Sequence, residues 1–159
     1  MKLYHALIAS LLLSACAQVP TVDPSPAAGE PFQQIEGELC QTEVFKLDAD
    51  FSSANMASCA IIDKRTVEVL LKPENTPINI SPWYAVRLTP TRSGNVRIIL
   101  RYEEHPHRYK PKISLDGVSW SVLPDDWVDV KAAGYRVSVK VALDDEPVFL
   151  SGQELFTNA

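Results

Sequence analysis

His105-Pro106-His107 is the first place in this chain to look for chemistry. Two imidazoles two residues apart on an extended segment converge on one metal ion if the backbone bends between them. No third ligand with an obvious spacing follows, so the pair reads as loop histidines in contact with water and with Glu103 or Glu104. Arg108, Lys110 and Lys112 come next and alternate along the chain. On an extended backbone alternate residues share a side, so these three are candidate partner-binding residues forming a small cationic stripe, with Tyr109 and Ile113 turned inward. Asp125-Asp126 and Asp144-Asp145-Glu146 lack the oxygen-ligand spacing of a calcium loop and read as turn and solubility residues. Trp83, Trp120 and Trp127 invite comparison with a sugar-stacking platform, although Trp83 and Trp120 are expected in the core. There is no Gly-x-Ser-x-Gly nucleophile elbow, and no catalytic residue, metal ligand or cofactor is assigned.

The elements that would carry these residues are short and β-favouring: 42–47, 66–71, 83–88, 96–102, 118–123, 135–143 and 148–151. Proline, glycine, asparagine and aspartate separate them, as in Lys72-Pro73-Glu74-Asn75, Ser93-Gly94-Asn95 and Asp116-Gly117. Val67, Val69 and Leu71 alternate with Glu68 and Leu70, and Val137, Val139, Val141 and Leu143 alternate with Ser138, Lys140 and Ala142. Each of those strands is therefore expected to turn one face to the core and the other to water. No helical stripe of useful length is visible beyond the first residues and, at most, Gln153 to Phe156. The fold expected is all-β, a single antiparallel β-sandwich domain spanning 38–159.

What precedes the domain reads as export machinery. Lys2, an apolar run from Ala6 to Leu13 and then Leu13-Ser14-Ala15-Cys16 make a signal peptide over 1–15. The run is well short of the ~20 apolar residues of a membrane span. Leu-Ser-Ala-Cys matches a bacterial lipobox, in which Cys16 is lipidated and becomes the first mature residue. Each buried methylene contributes about 0.8 kcal/mol, so several acyl chains hold a domain to a membrane without crossing it. Ala17 follows where aspartate would favour inner-membrane retention, so the expected place is the outer membrane, facing the periplasm. Residues 16–37, with four prolines after Cys16 and little apolar periodicity, read as a flexible tether.

With Cys16 given to lipid, Cys40 and Cys59 are left in an exported chain and are expected to form a disulfide. A metal site is the weaker reading, because neither belongs to a Cys-x-x-Cys pair. At 159 residues, 46% hydrophobic and 22% charged, the chain has room for one real core. A formal net charge of −5 argues against a nucleic-acid partner.

Three segments then resemble one family. Phe51-Ser52-Ser53-Ala54-Asn55-Met56 is similar to a Phe-x-x-Gly-Asn-Ile opening, with Ala54 in place of glycine. Trp83-Tyr84-Ala85-Val86-Arg87 is similar to a Trp-Phe-x-Phe-Arg strand. His107 to Trp120 resembles an Arg-x-Pro-x-x-Ser-x-Asp-Gly-x-x-Trp segment, here with Pro111, Ser114, Asp116, Gly117 and Trp120. The family is the amino-terminal β-sandwich domain of cytosolic-type zinc metallocarboxypeptidases and their bacterial relatives. That resemblance implies a sandwich that packs against a catalytic domain and helps shape its cleft. The zinc chemistry itself needs a His-x-x-Glu pair, yet arginine lies three residues after His105 and lysine three after His107. The expected function is thus a lipid-anchored accessory or interaction module, non-catalytic by itself. Its partners would be the membrane and a carboxypeptidase catalytic domain or another envelope protein. The alternatives are the leading fragment of a truncated or split zinc carboxypeptidase, and a carbohydrate-binding module.

Overall fold

In a computed structural model, residues 39–73, 75–80 and 83–155 are described. They form eleven strands: β1 (Leu39–Gln41), β2 (Phe45–Asp48), β3 (Ser58–Asp63), β4 (Thr66–Leu71), β5 (Ala85–Pro90), β6 (Gly94–Tyr102), β7 (Lys112–Ser114), β8 (Ser121–Val122), β9 (Val128–Lys131), β10 (Arg136–Leu143) and β11 (Val148–Ser151). One sheet has the order β1-β2-β5-β11-β7-β8 and the other β3-β4-β6-β10-β9. Packed face to face, they make the expected all-β sandwich. The pairing is antiparallel throughout the described strands except between β4 and β6, which run parallel. The chain leaves β4, crosses to the other sheet as β5, and returns as β6, so two reversals restore the original direction.

Alternation explains which side chains fill the space between the sheets. Val67, Val69 and Leu71 of β4, Val96, Ile98 and Leu100 of β6, and Val137, Val139 and Val141 of β10 meet Phe45 and Leu47 of β2, Val86 and Leu88 of β5, and Val148 and Leu150 of β11. Burying each such side chain contributes about 1.5–3 kcal/mol. The solvent-facing side expected for β10 is present at Arg136, Lys140 and Ala142, all exposed. For β4 that expectation fails: all six residues are buried. β4 lies between β3 and β6, and its outward Glu68 is covered by Arg101 and Arg136, which reach it at 3.4 and 2.8 Å.

Cys40 and Cys59 form the expected disulfide, with an S–S distance of 2.02 Å. It joins β1 at the edge of one sheet to β3 at the edge of the other and so closes one side of the sandwich. On the chain-entropy picture a loop of this size contributes about 3 kcal/mol. Residues 1–37, expected to hold a signal peptide, lipidated Cys16 and a tether, lie outside the described residues.

Candidate functional site

The cationic stripe expected from Arg108, Lys110 and Lys112 does not lie on one strand. Only Lys112 is in β7; Arg108 and Lys110 belong to the loop before it. Arg108 folds onto the neighbouring Tyr109, donating to its hydroxyl at 2.9 Å. Lys110 pairs with Asp125 at 3.2 Å and Lys112 with Glu154 at 2.7 Å. Exposed pairs of this kind contribute little to stability, but they take up the charge a partner would have met.

The two histidines part company. His107 turns inward and shares a 2.7 Å hydrogen bond with the Tyr102 hydroxyl, while His105 Nδ1 donates to the Pro106 carbonyl. Desolvation lowers the His107 pKa from its ordinary value and raises that of the buried Tyr102 phenol, with a smaller push from Tyr109. The His107 N–H also donates to the carbonyl of Gly134, whose φ of +92 favours glycine, so the loop is docked on the turn before β10. Among the described residues no three His, Cys, Asp or Glu side chains cluster as metal ligands would.

The other expected features form structure. Asp116 accepts from the N–H groups of Ser119 at 2.7 Å and Val118 at 2.8 Å, and from the Ser114 hydroxyl at 2.9 Å. Those bonds, led by the Ser119 and Val118 amides, hold its carboxyl well below the usual carboxylate range. Gly117 supplies the positive φ of the turn and sits against Phe149, which meets Phe51 edge to face at 5.2 Å. Asn55 donates to the Trp83 carbonyl at 2.8 Å and bridges to Ala85. The three segments that carried the family resemblance are therefore linked through a chain of contacts on the six-stranded sheet. Trp83 and Trp120, expected in the core, are both only half-buried; the large core aromatics are Phe45, Tyr84 and Tyr102.

The site that sequence reasoning missed is on the outer face of the five-stranded sheet. A concavity of about 390 Å³ lies over β6, β10 and β9, walled on one side by Trp127. Strand register builds it in three rows. Arg97 stands opposite Lys140; Ile99, Ser138 and Asp129 form the next row; Arg101, Arg136 and Lys131 form the third. Successive rows on one face are two residues, or about 7 Å, apart. Asp125 to Trp127 make a single 3₁₀ turn that raises the indole beside β10, where Lys140 Nζ stands 4.6 Å from the ring centroid. Four cations and two carboxylates, Asp126 and Asp129, line a groove on a chain of net charge −5. The alternation of Arg136, Ser138 and Lys140 was visible in the sequence. The cross-strand register that sets Arg97 and Lys131 beside them was not.

No family model and no curated protein sequence matches the chain.

Proposed function

We propose that the chain is a lipid-anchored accessory module of a bacterial envelope, held by Cys16 on the periplasmic side of the outer membrane. It binds another envelope component through the five-stranded sheet and performs no reaction itself. The observation that carries the binding role is the groove, with its cations aligned in register on strands held rigid by a full core. Residues on such strands keep their spacing without a ligand, which lowers the cost of ordering them on binding. The envelope location is supported by Leu13-Ser14-Ala15-Cys16, and the Cys40–Cys59 disulfide is compatible with an oxidising compartment.

Membrane fractionation with lipid labelling tests the anchor. Cys16→Ser is expected to lose the label and move to the soluble fraction; a variant still bound to membranes would remove the lipidation claim. The non-catalytic claim is tested by incubating the purified full chain with peptides bearing free carboxy termini, where no amino acid is expected to be released. Release, with one bound zinc per chain, would restore the carboxypeptidase reading, as would an adjoining downstream reading frame containing His-x-x-Glu.

A further inference from the structure

We infer that the groove takes an acidic saccharide: its carboxylate pairs with Arg97 and Lys140, and its ring hydroxyls bond Ser138, Asp129 and Asp126. This rests on the reading of the chain as a binding module and names the chemistry of what it binds.

Cross-strand charges carry the first step. Arg97 stands directly opposite Lys140, and Arg136 lies between Arg101 and Lys131. Like charges facing each other across strands destabilise a sheet. In the second cluster the cost is offset from within: Glu68 pairs with Arg101 and Arg136, and Asp129 pairs with Lys131 at 3.1 Å. Among the described residues no carboxylate forms a salt bridge with Arg97 or Lys140: Asp63 feels the Arg97 charge only from a distance, and Lys140 rests over the Trp127 ring. An anion from outside supplies the direct ion pair that neither cation makes within the described residues.

The row between the cations selects the kind of anion. Ile99 gives an apolar floor, Ser138 a hydroxyl that donates and accepts, and Asp129 an acceptor, with Asp126 at the rim. Sugar hydroxyls donate to such carboxylates. A polyacidic peptide or a polyphosphate brings several negative charges against Asp129 and Asp126, whereas an acidic sugar brings one charge and several hydroxyl donors. Trp127 adds an aromatic wall for the C–H face of a sugar ring, and the concavity falls in the roughly 300–1,000 Å³ range of small-molecule sites.

The test is a binding screen with the full chain in detergent micelles. The probes are glycans bearing uronic, sialic or muramic acid units, their neutral counterparts, and a hexaglutamate peptide. Retention of acidic glycans is expected, weakened by salt. The double variant Arg97→Ala/Lys140→Ala is expected to lose at least about tenfold in affinity, as two charge-assisted contacts disappear. Arg92→Ala, an exposed cation outside the groove, is expected to bind as the parent does. Both positions point to solvent, and matched thermal melts verify that the variants fold. Equal retention of neutral glycans, equal binding of hexaglutamate, no retention of any acidic glycan, or full binding by the double variant would each overturn the proposal. None of these results alters lipid labelling at Cys16, so failure of the ligand class is distinguishable from failure of the anchored module.

Discussion

Glu68 faces outward from β4 yet its side chain is only 7% exposed, because Arg101 and Arg136 close over it from the adjacent strand and the next. Removing that charge leaves two guanidinium groups facing each other across a strand pair. Glu68→Gln keeps the shape and is expected to cost roughly 1–3 kcal/mol in urea unfolding, because it strands partly shielded charges. His107 makes a pH-dependent contribution with a definite sign. Its folded pKa lies below its ordinary value of 6.5, so the unfolded chain binds the proton more readily. The stability it confers is complete above the unfolded pKa and is lost as pH falls through the window beneath it. Melts of the parent between pH 7 and 5 are expected to decline more steeply than those of His107→Gln. Asp116 behaves likewise as a carboxylate with a lowered pKa: its contribution is complete above its ordinary value of 3.8 and is lost as pH falls below it; Asp116→Ala is expected to speed amide exchange at Val118 and Ser119, whose N–H groups donate to it.

At the scale of elements, the disulfide is the feature both most legible and most testable. Cys40 and Cys59 were readable as a pair from compartment and count, whereas their placement on edge strands of opposite sheets was not. Cys40→Ala/Cys59→Ala is expected to lose about 3 kcal/mol and to melt earlier without loss of the sandwich. The alternating strands β4 and β10, and with them β6 and the wholly apolar start of β11, match their expected bounds to within two residues at either end. Four strands are not expected from the sequence: the short β1, β7 and β9, and the six-residue β3. Ser58-Cys59-Ala60-Ile61-Ile62-Asp63 has no period-two pattern, because β3 is an edge strand whose last three residues are exposed. The expected strand 118–123 is reduced to Ser121–Val122, since Asp116 ties up the amides of 118 and 119 in a turn. Cross-strand register decided the groove, and register depends on contacts far apart in sequence. Thus the loop at 105–112 drew attention for its residue types, while the cations that stand together come from three other strands.

For the whole molecule, the two outer faces differ in kind. On the six-stranded sheet Asp48 is buried beneath Arg87 and Lys46, at 2.8 and 3.3 Å, and Arg87 lies over Phe51 beside Phe149, so charge there is matched internally. On the five-stranded sheet Arg97 and Lys140 form no salt bridge among the described residues and border a hollow. An anchored module that works by binding should therefore engage its envelope component through the second face. Site-specific photocrosslinking in living cells measures this directly, with the reactive side chain placed at Lys131 on the groove rim or at Lys46 on the opposite sheet. A discrete adduct from Lys131 and none from Lys46 is the expected result. Adducts from Lys46 alone, or from neither position, would contradict the assignment of this face as the one that binds.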